Sequence, residues 1–198
     1  MIWNLHSHSR FSAQDALPTP EAMVATVKAM GQPALGLTDH GNMAGTVQLY
    51  TAAKKAGIVP FPGSELYVVS DRRDKKEKRR HMCVVAYTSE GYKNLVRLST
   101  ATHRNFHHKP LVDFADLAEL ADTGGLRGLA ATSGCYFGFV SQNVVAGNEQ
   151  AARTLLKHMG ACFDRFYVEL QNHNIDHGDG WSDDTLADWL LNAATEIG

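Results

Sequence analysis

Short apolar runs alternate with segments of helical periodicity along almost the whole chain, and this alternation constrains the fold more than any other feature. IWNLH (2–6), PALGLTDH (33–40), IVPFPGSELYVV (58–69), MCVVAY (82–87), GLAATSG (128–134) and FYVELQ (166–171) read as strands. Pro60 and Pro62 interrupt the third. Between them lie helical stretches. One runs from an N-cap at Thr19, with Pro20 in the first turn, to a stop at Gly31, and carries Met23, Val24, Val27 and Met30 on one face. A second is expected from an Asn42 cap to Lys55, ending at Gly57; a third from Ser89 and Glu90 to about Ala101; a short one over DFADLAEL (113–120). Asn148 opens a helix with Ala152, Leu155, Leu156 and Met159 on its apolar face, and 182–198 forms the last. Repeated strand–helix units predict a parallel α/β arrangement, and six strands in this order suit a barrel better than an open sheet. A barrel helix hands over to another strand, so a further strand is expected beyond Gly198.

Composition excludes several classes. At 198 residues the chain suits one domain. Net charge is −2, so it is not a basic nucleic-acid binder by composition, and no apolar run approaches the roughly 20 residues of a membrane span. No basic-then-apolar leader opens the sequence. Cys83, Cys135 and Cys162 make no disulfide framework, which favours a reducing, cytoplasmic setting. The segment DRRDKKEKRR (71–80) holds seven of the 19 Lys and Arg residues. It is either a solvated loop or a basic arm for phosphate backbone.

The metal-capable side chains are spread through the sequence but fall at matching places in the predicted fold. His6 and His8 end strand one, two residues apart and therefore on one face. Asp15 follows; Asp39 and His40 end strand two; Glu65 lies in the GSE of strand three; Cys135 follows strand five. In parallel barrels, active sites lie at the C-terminal strand ends, so these residues should converge on one rim. His81 precedes its strand and breaks the rule. Because neighbours on a strand face opposite ways, one of Asp39 and His40 should face the site and the other orient a ligand. Asp39 can instead cap a helix, and a lone Cys135 can be a small buried hydrophobe. Mixed imidazole, carboxylate and thiolate ligands suit Zn²⁺, Mn²⁺ or Fe ions.

LHSHS, LTDHGN, GSE, the Arg-His before an apolar strand, and SGC occur here in an order that resembles the polymerase and histidinol phosphatase (PHP) domain. With EGYKNLVRLST, KPLVDF and YVELQNH, the chain is similar more narrowly to the PHP domain of bacterial and phage DNA polymerase III alpha subunits, from about Ile2 to Gly198. The resemblance implies a distorted seven-stranded (β/α) barrel, here lacking its C-terminal strand, with 1–198 as one incomplete PHP domain. It implies two to three divalent metals: one on His6, His8 and Glu65; a second on Glu65, His81 and Cys135; a third on Asp15 and His40. It also implies a later Asp-x-His pair, for which DHGDG (176–180) is a poor substitute. Asp15, His40 and Glu65 would be catalytic, with Asp39, Arg10 and His173 in supporting or substrate-contacting places. His103, His107, His108, His158 and His177 are expected to be surface or packing residues. The implied activity is metal-dependent 3′→5′ removal of nucleotides from a DNA primer terminus. The remainder of the alpha subunit and other replisome subunits are the implied partners, and no membrane is. A structural metal-binding scaffold and a free-standing PHP phosphatase are the competing readings.

Overall fold

The computed structural model describes residues 4–13 and 15–197. Its strands are β1 (Ala34–Leu37), β2 (Val59–Val69), β3 (Arg80–Ala86), β4 (Leu111–Asp113), β5 (Leu129–Thr132), β6 (Arg165–Tyr167), β7 (Asp176–Gly178) and β8 (Trp181–Ser182). Its helices are α1 (Pro20–Ala29), α2 (Thr46–Ala56), α3 (Ser89–Arg104), α4 (Phe114–Asp122), α5 (Phe139–Val145), α6 (Glu149–Cys162) and α7 (Asp183–Ile197). Ile2 and Trp3 of the expected first strand, and Gly198, lie outside the described residues. What is described of that strand is a parallel bridge from Asn4 to Leu35 and a Thr38 N–H donated to the Ser7 carbonyl at 2.9 Å. The approach needs Gly36, where a Cβ would lie 2.5 Å from the Leu5 carbonyl oxygen.

Six strands form one sheet in the order β1-β2-β3-β5-β6, with β4 also on β2. The sheet is largely parallel, as expected, with one strand reversed. β3 runs antiparallel to both β2 and β5, and the other pairs are parallel. β2 is continuous through its prolines. The Val59 N–H donates towards β1, to Pro33, and the Glu65 N–H donates to Asp39 on the same edge. By alternation, positions 60 and 62 turn their nitrogens to the opposite edge, where β3 begins pairing only at Gly63.

Period-two alternation sorts the strand side chains. Leu66 and Val68 of β2, Met82, Val84 and Ala86 of β3, and Leu129 and Ala131 of β5 pack beneath helices through Leu95, Leu98, Leu117 and Met159. Glu65 and Tyr67, with His81 and Cys83 opposite them, therefore take the other face. Leu35 and Leu37 of β1 pack on Val24 and Val27 of α1 and Leu49 and Ala53 of α2. Val140, Val144, Leu156, Leu186 and Leu190 join α5, α6 and α7.

Several local expectations shift. Asn42 does not cap α2, which starts at Thr46. Its side chain accepts from the Ala44 N–H and donates to the Phe11 and His40 carbonyls, tying the β1 turn to the N-terminal loop. Met30 is exposed rather than on the apolar face of α1. α3 extends three residues past Ala101, from a Thr88 cap. β6 is shorter than 166–171, and 176–182 forms a small hairpin. α5 and β4 had no counterpart in the sequence reading. Among the described residues no helix is long and apolar enough to cross a membrane.

Candidate metal centre

Five separate stretches of chain bring one ligand set to one end of the sheet. His6 and His8 present their Nε2 atoms 3.1 Å apart, while Ser7 between them turns away and donates its hydroxyl to the Gly36 carbonyl. Asp39, 1 % exposed, accepts from the Ser9 N–H (2.7 Å), the Ser9 hydroxyl (2.8 Å) and the Ser12 hydroxyl (2.8 Å). It thereby folds the 9–15 loop back over β1, and that loop carries Asp15 to the rim. Ser12 also accepts the His40 N–H. Asp39 and His40 thus divide the roles, one organising the loop and the other facing the cluster.

Glu65, 1 % exposed, stands at the centre. Its Oε1 lies 3.4 Å from His6 Nε2, 3.1 Å from His81 Nδ1 and 3.8 Å from Cys135 Sγ. Its Oε2 lies 3.5 Å from His8 Nε2 and 2.7 Å from His40 Nδ1. Asp15, half exposed, is 3.4 Å from His40 Nε2 and 4.0 Å from His8 Nε2. The antiparallel run of β3 brings His81 in: its start lies beside the far end of β2, where His81 pairs with Tyr67. Gly134 (φ +80°) lets the SGC turn close on that strand, since a Cβ there would lie 2.3 Å from the His81 carbonyl oxygen.

The donor set fits divalent cations. Nitrogen or oxygen ligands at the usual ~2.0–2.1 Å around a tetrahedral metal lie about 3.3 Å apart, and a thiolate about 3.6 Å from its neighbours. His6, His8 and Glu65 show 3.1, 3.4 and 3.5 Å, and Cys135 is 3.8 Å from both Glu65 and His81. His40 Nδ1 and Glu65 Oε2 are buried and 2.7 Å apart, yet neither has a partner in hydrogen-bond geometry. Lone pairs converging on a cation leave that signature. Among the described residues, three sets of ligand atoms lie within 4.8 Å of one another: His6, Glu65 and Cys83; His8, Asp15 and His40; and His40, Glu65 and His81.

Charge follows geometry. Burial opposes ionisation of Glu65, but His40, His6 and His81 outweigh it and hold the carboxyl well below the usual carboxylate range. Burial also opposes protonation of His6, and Cys83, Glu169 and Glu65 reverse this and raise its pKa. Burial lowers His8. It pushes the Cys135 thiol up to about 11 and the Cys83 thiol up to about 12.

The structure thus gathers His6, His8, Asp15, His40, Glu65, His81 and Cys135. Arg10 lies on the surface with its guanidinium 5.4 Å from the Phe11 ring centroid. His173 is exposed, and its backbone N–H donates to Asp183. DHGDG supplies no ligand to these sets: His177 stacks on Tyr136 and meets Asp183 instead. Two residues at the cluster escaped the sequence reading. Cys83 follows His81 with the same i, i+2 spacing as His6 and His8, so alternation could have found it. Glu169 lies 2.5 Å from His6 Nδ1, with its other oxygen accepting from the Thr132 hydroxyl and with Gln171 donating to Oε1. This contact also joins the two ends of the sheet, since His6 flanks β1 and Glu169 follows β6.

Residues 4–173 of this chain match the PHP domain. The chain belongs to that family. Among its relatives are the DNA polymerase III subunit alpha of Treponema pallidum, 33 % identical over 98 % of this chain, and that of Thermus aquaticus, 33 % identical over 87 %. The chain spans 17 % and 15 % of their respective lengths. The fold matches a crystal structure assigned as a metal-dependent phosphoesterase from Bifidobacterium adolescentis, with TM-score 0.61 and 13 % identity over 98 % of this chain and 83 % of that one.

Proposed function

We propose that this chain is the PHP domain of a DNA polymerase III alpha subunit and acts as a metal-dependent phosphodiesterase that removes nucleotides from the 3′ end of a DNA primer. The observation that carries the proposal is Glu65, whose two buried oxygens face different ligand groups, His6 and His81 on one side and His8 and His40 on the other. A carboxylate so placed would serve as a ligand together with either group of imidazoles. Divalent cations bound by these residues would supply Lewis acidity for phosphodiester hydrolysis. The chain itself binds and orients. His6, His8, His81 and Cys135 hold the buried side of the cluster. Asp15 and His40 hold the open side, where Asp15 is half exposed to an incoming diester.

The β2–β3 loop supports DNA as substrate. It leaves the ligand end of the sheet and returns directly into His81. Three of its arginines serve as anchors, Arg72 pairing with Asp113 and Asp116 and Arg79 and Arg80 bonding the His107 carbonyl and Gln142, while exposed Arg73 pairs only with Asp71 within the loop. Lys76 and Lys78 remain exposed for a phosphate backbone. The rest of the alpha subunit is the primary partner, other replisome subunits are further ones, and the cytoplasm is the setting.

The test is release of mononucleotides from a mismatched primer–template in Mn²⁺ or Zn²⁺. Wild type is expected to release them and Asp15→Asn to do so at least 100-fold more slowly, on the order of what one lost electrostatic contact costs. Equal rates refute the assignment. Metal bound tightly with no release by wild type favours the scaffold reading.

A further inference from the structure

A cavity of about 290 Å³ adjoins the metal centre and shares Cys135, Glu169 and Gln171 with it. Away from those three its wall is largely apolar, with Leu186 and Leu190 at its back. Three large apolar side chains at this cavity are left uncovered: Phe137 (57 % exposed), Leu170 (46 %) and Ile175 (48 %). Single exposed hydrophobes are ordinary, but a cluster at the lip of a cavity marks a binding surface.

Phe137 is exposed yet braced. Its carbonyl accepts the His81 N–H at 3.2 Å, so its position is tied to the strand that carries a ligand. Its ring packs edge-on against Tyr136 (centroids 5.3 Å, 74°), Tyr136 stacks on His177 (3.9 Å, 8°), and His177 Nε2 lies 2.8 Å from Asp183 Oδ1. Asp183 is in turn fixed by the His173 and Ile175 N–H groups. An aromatic face held in advance loses little entropy when something stacks on it. The Phe137 and His81 ring centroids are 6.0 Å apart, which places that face beside the metal centre.

Resting on the phosphodiesterase reading above, we infer that this cavity seats the nucleoside of the terminal nucleotide, its base stacking on Phe137 between Leu170 and Ile175. Charge complementarity orients the occupant: the phosphate points to the cation-binding rim and the lysine-bearing loop, and the uncharged base to the apolar wall. The volume lies at the small end of the range for small-molecule pockets and suits one nucleoside, not a run of strand. Aromatic stacking tolerates any base, so the site selects nucleotides without reading sequence.

Equilibrium titration of the metal-loaded chain with thymidine 5′-monophosphate and with inorganic phosphate tests this. Wild type should bind the nucleotide at least about tenfold more tightly than phosphate, a stacking-sized difference. Phe137→Ala should lose most of that difference while binding phosphate as before, and Phe137→Trp should restore it. Equal affinity of wild type for the two ligands overturns the inference, as does an equal loss for both in Phe137→Ala with an unchanged melting temperature. Turnover of bis(p-nitrophenyl) phosphate reports the phosphodiesterase reading separately. Turnover without nucleotide preference removes the nucleoside site and leaves the enzyme; nucleotide preference without turnover keeps the nucleoside site and removes the enzyme.

Discussion

Replacing Glu169 separates a cluster held only by its ligands from one whose ligands are themselves held. Glu169 Oε1 lies 2.5 Å from His6 Nδ1, Oε2 accepts from Thr132 at 2.6 Å, and the Gln171 amide donates to Oε1 at 2.7 Å. The Glu169 N–H is fixed on Ser133 at 2.9 Å. With a proton held on Nδ1 by this carboxylate, His6 would ligate a cation through Nε2, the atom that faces His8 and Glu65, on giving up its second proton. Partners of this kind contribute about 10- to 100-fold in metal affinity, which corresponds to roughly 1.4–2.8 kcal/mol. Glu169→Gln keeps an acceptor oxygen and loses the charge, so a loss near tenfold is expected. Glu169→Ala removes both and should approach 100-fold. Competition against a chromophoric zinc chelator measures each. In a His6→Ala background the same Glu169→Ala change should add almost nothing, because the coupling runs through that imidazole. Zinc affinity of Glu169→Ala within twofold of wild type, or an undiminished effect without His6, would show the contact to be incidental.

Asp39→Ala should cost about 1–3 kcal/mol in urea unfolding, the range for leaving buried hydrogen-bond donors without their acceptor. It strands three donors from Ser9 and Ser12, and a loss under 1 kcal/mol would contradict the anchoring role. Metal uptake at pH 7 should release protons. Burial works against a charged His6, but its partners prevail and keep it protonated in the metal-free chain, and burial holds the Cys135 thiol up to about 11. A cation takes neutral imidazole and thiolate, so apparent affinity should rise with pH between 6 and 8. Calorimetry in two buffers of different ionisation enthalpy counts the protons, and none released would refute the assignment.

Much of the site was legible because its signals are local. His6 and His8 share a face through strand periodicity alone, and the paired Asp39–His40 predicted one organiser and one rim residue. The helices were visible through caps and apolar faces, with errors where a side chain found a better tertiary partner. Asn42 is such a case: its amide binds Phe11 and His40 instead of starting α2. Pro60 and Pro62 looked like interruptions because which edge a nitrogen faces depends on a neighbour's register.

By itself the sequence determined the alternating strands and helices, the ordered ligand types and the resemblance to the PHP family. Only the tertiary structure decided strand direction. β3 runs against β2, so His81 reaches the cluster from the start of its strand and brings Cys83 opposite Glu65. Side-chain periodicity is the same for a strand read in either direction, so no local pattern carries that information. Glu169 required folding for a related reason: its contact with His6 spans 163 positions and exists only because the sheet curls until its ends meet.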